Sequence, residues 1–177
     1  MYGKTLLNII SIILLSIFQV SFISALPGWL NNVNAAALAL VFILALGSFR
    51  SALFWAFGLG FLLDIYSFLP FGVYSAAFMA TVVIINFFLV NFLTNRSLYS
   101  FLVLTFLCLF INEIFVYTLS YAVYLLDKQD FIVYFDAKFW INQLVIFAVN
   151  LVAVFIIFYL LAFVSKNLRP VFLIRRK

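Results

Sequence analysis

Glu113 stands inside the apolar run FLVLTFLCLFINEIFVYTL, which contains no other acid and no base. An ionised carboxylate surrounded by hydrocarbon costs several kcal/mol or more, so an acid in such a place either has a function or is tied into a hydrogen-bonded cluster. By linear depth in their own apolar runs, its companions are Asn86 and Asn150. Asn112 is adjacent in sequence but about 100° around a helix. Two chemistries follow. Glu113 is a ligand- or proton-binding carboxyl in a polar cavity, or it is a protonated acid that ties three helices together with one amide as acceptor. The second fits better, because no further acid, His or Lys lies at that depth to form a relay.

A different pattern occupies residues 52–64. Ala52, Ala56, Gly60 and Asp64 recur every fourth position and so line one helix face, and Gly58 widens it. Small residues in this register let a second backbone approach closely. The approaching helix belongs either to this chain or to a membrane partner. Asp64 falls near a helix end, where its carboxylate is hydrated or accepts hydrogen bonds from the turn that Ser67, Pro70 and Gly72 create. Tyr117, Tyr121 and Tyr124 form a further one-sided stripe, read as interfacial anchoring or packing. With no His and a single Cys, Cys108, the chain builds neither a zinc cluster nor an internal disulfide, and His-dependent dyads are absent. No paired catalytic residues are visible, so the sequence reads as non-enzymatic and without a cofactor.

The elements that must hold these residues are membrane helices. Of 177 residues 69% are hydrophobic and 8% charged, against about a quarter charged in a soluble domain. The expected architecture is therefore all-α: one polytopic transmembrane domain over residues 1–177, a compact bundle ending in a basic cytoplasmic tail at 166–177. A span needs roughly 20 apolar residues. Residues 5–25, 72–94, 98–126 and 139–165 each satisfy that, whereas 35–50 and 51–66 are short. The first run also resembles a signal peptide, but its apolar stretch is longer than the usual core of about seven to fifteen residues, so it is read as a retained anchor.

Six spans with both termini in the cytoplasm place Lys4, Arg50, Arg96, Lys166, Arg169, Arg175, Arg176 and Lys177 inside, and only Lys128 and Lys138 outside, together with Asp127, Asp130 and Asp136. A single helix over 35–66 would reverse that bias. A re-entrant hairpin would preserve it but bury Arg50 at depth, so six full spans are preferred. Trp29, Tyr66, Tyr74 and Trp140 then mark the outer boundary, and Tyr2 and Tyr99 the inner one. The net charge of +5 reads as topology and attraction to the lipid bilayer, not as a nucleic-acid surface.

Residues 60–72, GFLLDIYSFLPFG, resemble the motif of the bacterial rod shape-determining protein MreD family, with Gly60, Asp64, Ser67, Pro70 and Gly72 at the matching positions. Glu113 is not part of that pattern. The size of the chain, the Arg between the second and third spans and the basic end are similar too. The resemblance implies a non-enzymatic scaffold subunit of the cell-elongation complex in the cytoplasmic (inner) membrane. Its partners would be MreC and, indirectly, MreB and the peptidoglycan polymerase and transpeptidase of wall synthesis. The alternative is a substrate-binding S component of an energy-coupling vitamin transporter, which has a similar six-helix layout and would use Glu113, Asn86 and Asn150 as a pocket. Against it, the first span, IISIILLSIFQVSF, lacks the Ala-rich small-residue face by which those proteins dock on their transporter.

Overall fold

The computed structural model describes residues 2–93, 97–127 and 137–164. Arg96, Lys128, Asp130, Asp136 and the basic tail with Lys166, Arg169, Arg175, Arg176 and Lys177 lie outside the described residues, as does the side chain of Asp127.

Among the described residues six α-helices follow one another: α1 Tyr2–Ile17, α2 Ala35–Leu46, α3 Phe49–Tyr66, α4 Val73–Asn91, α5 Leu98–Asp127 and α6 Ala137–Val164. The first run is not one uniform helix. After Ile17 it widens into a π-helical stretch, Phe18–Ile23, and stops at Pro27, which has no N–H to continue the ladder. Gly28, at φ +68°, then admits the chain to a 3-10 turn, Gly28–Asn32.

Residues 35–66 form two helices, not one. Gly47 ends α2, with its N–H on the Ile43 carbonyl at 2.9 Å, and the Ser48 hydroxyl caps α3 by accepting from the Ser51 N–H at 3.3 Å. Arg50 stands exposed in the first turn of α3, one helix later than the sequence boundary placed it. The turn lies at one end of the bundle beside Asn86 and Leu93. The start of α2 lies at the other end, near Tyr66 and Tyr74. The 35–66 segment therefore crosses the bundle twice and is not a hairpin that turns back at mid-depth.

Among the described residues, five helices are long and apolar enough to span a bilayer alone. With twelve residues, α2 is about 18 Å long, short of a hydrocarbon core of about 30 Å. Its shortness is tolerated because it is the inner helix, packed on α3, α4 and α5 with α1 alongside. Leu40 and Val41 are fully enclosed, and Phe42 stacks on Phe101, which in turn meets Phe158 of α6. Leu6, Leu14, Ile141, Leu144, Ile156 and Leu160 face outward. Large apolar side chains exposed on long helices mark a multi-pass membrane protein whose outer surface is solvated by lipid.

Candidate functional site

The small-residue face of α3 is buried within the chain. Ala52 and Ala56 are fully enclosed and Asp64 is 3% exposed. At Gly60 the backbone of α4 comes so close that an added Cβ would lie 2.5 Å from the Ser75 Cα and 2.8 Å from its N. Gly58, turned toward α1, would place a Cβ 3.0 Å from the end of Ile12. Of the two alternatives for Ala52, Ala56, Gly60 and Asp64, a helix of this chain or one of a partner, the structure shows the internal contact. Their own neighbours, above all α4, already occupy that face.

That close approach lets Asp64 act across the hairpin. Its two carboxylate oxygens accept from the Tyr74 N–H at 2.8 Å, the Ser75 N–H at 3.0 Å and the Ser75 hydroxyl at 2.5 Å. The first N–H groups of a helix have no partner within it, and α4 has no side-chain cap of its own, because its N-cap is Gly72 at φ +97°. Asp64 supplies the missing acceptors from α3, with its negative charge at the positive end of the helix dipole. Ser67 closes α3, its N–H on the Leu63 carbonyl and its hydroxyl on the Asp64 carbonyl. The Pro70 carbonyl accepts from the Val73 N–H at 3.3 Å. The structure thus gathers Gly60, Asp64, Ser67, Pro70 and Gly72 into one joint between α3 and α4.

The irregular segment before α2 needs the same kind of help. Its backbone enters the bundle, where unsatisfied N–H and C=O groups are expensive. Gln19 donates to the Val33 carbonyl and accepts from the Ala35 N–H, and the Asn34 side chain caps Ala37. Asn150, fully buried on α6, accepts from the Asn34 N–H at 2.8 Å and donates to the carbonyls of Asn32 and Ile146. Asn150→Leu is expected to cost about 1–3 kcal/mol, because it leaves two half-buried backbone groups, the Asn34 N–H and the Asn32 carbonyl, without their partner. Thermal unfolding of the purified chain in detergent measures this, and an unchanged midpoint would contradict it.

Asn86, Glu113 and Asn150 do not form the three-helix cluster expected from their linear depth. Asn86 lines a separate cavity with Leu44, Ala45 and Gly47 at the opposite end of the bundle, and the Asn150 hydrogen bonds go elsewhere. Glu113 sits level with Tyr66, Ser67 and Tyr74, near the end that carries the 67–72 turn. Its place at the middle of its run misled because α5 is 30 residues long and its later turns, with Val116 and Leu119, already pack against Val73 and Leu69.

Glu113 borders two cavities. One, of 360 Å³, lies toward the interior and is lined by Gln19, Asn31, Asn34, Tyr66 and Tyr74 among others. The second, of 570 Å³, runs between α5 and α6 along Phe106, Phe110, Tyr117, Trp140 and Phe147. At the boundary Gln143 lies beside Glu113 and donates to the Tyr117 hydroxyl at 3.3 Å. Among the described residues, no Lys or Arg lines either cavity. Of the tyrosine stripe, Tyr117 turns toward α6 with its ring on Phe139, whereas Tyr121 is exposed and meets Tyr124. Gln19 and Gln143 were missed from the sequence, although a long amide inside an apolar run was the available signal. Among the described residues, no group of three His, Cys, Asp or Glu is placed to hold a metal. Comparison with protein families, with curated proteins and with solved structures finds no match.

Proposed function

We propose that this chain is a non-enzymatic scaffold subunit of the bacterial cell-elongation complex. In that reading it resides in the cytoplasmic membrane with both termini inside, and it holds MreC and, through it, MreB and the peptidoglycan polymerase and transpeptidase. One observation carries the reading: the residues of the 60–72 segment that resemble the MreD pattern work together as a single joint. Gly60 allows the close approach, Asp64 ties α3 to the start of α4, and Gly72 supplies the left-handed turn.

A rigid joint of this kind fixes what lies at its tip. Phe68 is fully exposed there, and Phe71 is largely exposed while its ring meets Phe61 edge-on at 5.4 Å. A subunit with little mass outside its helices works by presenting such tips and helix faces in fixed positions, because a pre-organised contact loses less entropy on association.

Purification of the tagged chain in mild detergent is expected to bring down MreC, and depletion is expected to turn rod-shaped cells round. Normal shape and wall insertion after complete loss would refute the proposal.

A further inference from the structure

The ring of helices around α2 is incomplete. A helix has room for about six neighbours of its own width. Around α2 stand α1, α3, α4 and α5 in direct contact, with α6 beside α5. Successive members of the ring pack together, α1 with α3, α3 with α4, α4 with α5 and α5 with α6. Among the described residues, no comparable packing joins α6 back to α1. A cleft of 910 Å³ occupies that remaining place, with Ala35 and Ala39 of α2 at its floor and Ser11 of α1 and Ala153 of α6 on its walls. It follows α2 from Ala35 to Ile43 and α6 from Ala153 to Leu161, about 12 Å in each case. Its mean cross-section is therefore about 75 Å², that of a rod about 10 Å wide, which is the girth of a helix with its side chains. The vacancy is a seat for one membrane helix.

The chain itself carries a helix that fits. Of the five long apolar helices the first is the least covered: 17% of its apolar run is buried within the chain, against 22–33% in the others. Leu7, Ile10, Leu14 and Ile17 stand exposed on it, large side chains that the alanines of the seat admit at close range. The same helix forms one wall of the cleft. A second copy, related by a two-fold axis along the membrane normal, that places its α1 in the seat therefore receives the first copy's α1 in its own, and the contact closes as a symmetric pair. With equal helix spacings, this rotation lays α1 of each copy on α2 and α6 of the other without overlap elsewhere. Ser11, Leu14, Leu15 and Phe18, the residues of the first span along the cleft, fall at i, i+3, i+4 and i+7, the strip along which the two α1 helices meet. Apart from the Trp55 indole, Ser11 is the one polar side chain among the described residues lining the cleft. A serine hydroxyl both donates and accepts, so its two copies can pair across the axis, as hydroxyls do between membrane helices.

We infer that this cleft is a homodimer interface, with the first span of each copy seated between α1 and α6 of the other on the alanines of α2. The interface goes beyond the scaffold reading and does not depend on it.

Disulfide trapping of the full-length chain in its native membrane tests it. Ser11→Cys is expected to give a crosslinked dimer of twice the chain mass under copper–phenanthroline oxidation. Val83→Cys, exposed on α4 across the bundle from the cleft, is expected to give none, and Cys108, fully enclosed, stays in place as a common background. Ala39→Phe and Ala153→Phe fill the seat from two different helices. Each is expected to weaken dimerisation at least about tenfold, read by single-molecule photobleaching in liposomes over a range of protein densities. A wild-type chain that stays monomeric at every density would overturn the proposal. So would Ser11→Cys crosslinking no more than Val83→Cys, crosslinking only to a chain of different mass, or wild-type dimerisation in both filled variants.

Discussion

Asp64→Ala is expected to destabilise the folded chain by about 3 kcal/mol or more, because it removes every acceptor that the first turn of α4 receives from α3. The Tyr74 and Ser75 N–H groups would be left in a site where the carboxylate is 3% exposed, too closed for water to replace it freely. Asp64→Asn keeps one carboxamide oxygen but sets its own NH₂ against remaining donors. Its loss is expected to be smaller, about 1–2 kcal/mol. The thermal unfolding midpoint in detergent, read beside the monomer yield in size-exclusion chromatography, orders the three proteins as wild type, Asn, Ala. Should the Ala variant match wild type, the interhelical cap would be a contact without energetic weight.

Gly60→Val is the second large effect. Even one methyl group at this position would meet the Ser75 Cα at 2.5 Å, its N at 2.8 Å and the Tyr74 carbonyl oxygen at 2.9 Å. All three are backbone atoms, which have no rotamer by which to move aside. The helices must separate, and overpacking of this kind costs about 1–3 kcal/mol or more. Separation would also stretch the Asp64 bonds to the same residues, so Gly60→Val and Asp64→Ala should be strongly non-additive in a double-mutant cycle. Gly58→Ala is the control. Its nearest neighbours are side-chain atoms of Ile12, at 3.0 Å and beyond, and a rotamer change relieves them. Equal losses at positions 58 and 60 would count against the close approach of α3 and α4.

Much of the fold was legible because membrane helices announce themselves by length and composition. The helices from α3 to α6 lie close to their expected limits, and the break between α2 and α3 falls where Gly47 and Ser48 stand. Residues 52–64 also disclosed the right face, since a four-residue repeat of small side chains has one geometric consequence on a helix. What covered that face was not legible. A stripe of Ala and Gly looks the same whether the neighbouring helix belongs to the same chain or to another.

Glu113 shows the other limit. Depth inferred from position in a run assumes that every helix starts at the same level, and α5, at 30 residues, does not share the limits of α4. The same assumption put Asn86 beside it, whereas Asn86 stands near Gly47 at the far end. Asn150 was singled out as a companion of Glu113, but its partners are the Asn32 carbonyl and the Asn34 N–H. Backbone groups carry no mark in a sequence that they will need a partner.

The sequence by itself determined the solvent of this protein, its helical class and its residue types at the α3–α4 joint, because hydrophobic length and periodic spacing are local properties of the chain. Tertiary structure decided which helix covers the small-residue face, which backbone atoms Asp64 and Asn150 satisfy, and that Glu113 opens onto two cavities instead of a three-helix cluster. Those outcomes depend on how far each helix slides along its neighbours. That displacement is set by packing at Gly60 and by the unwound segment before α2, where contacts join residues more than a hundred positions apart.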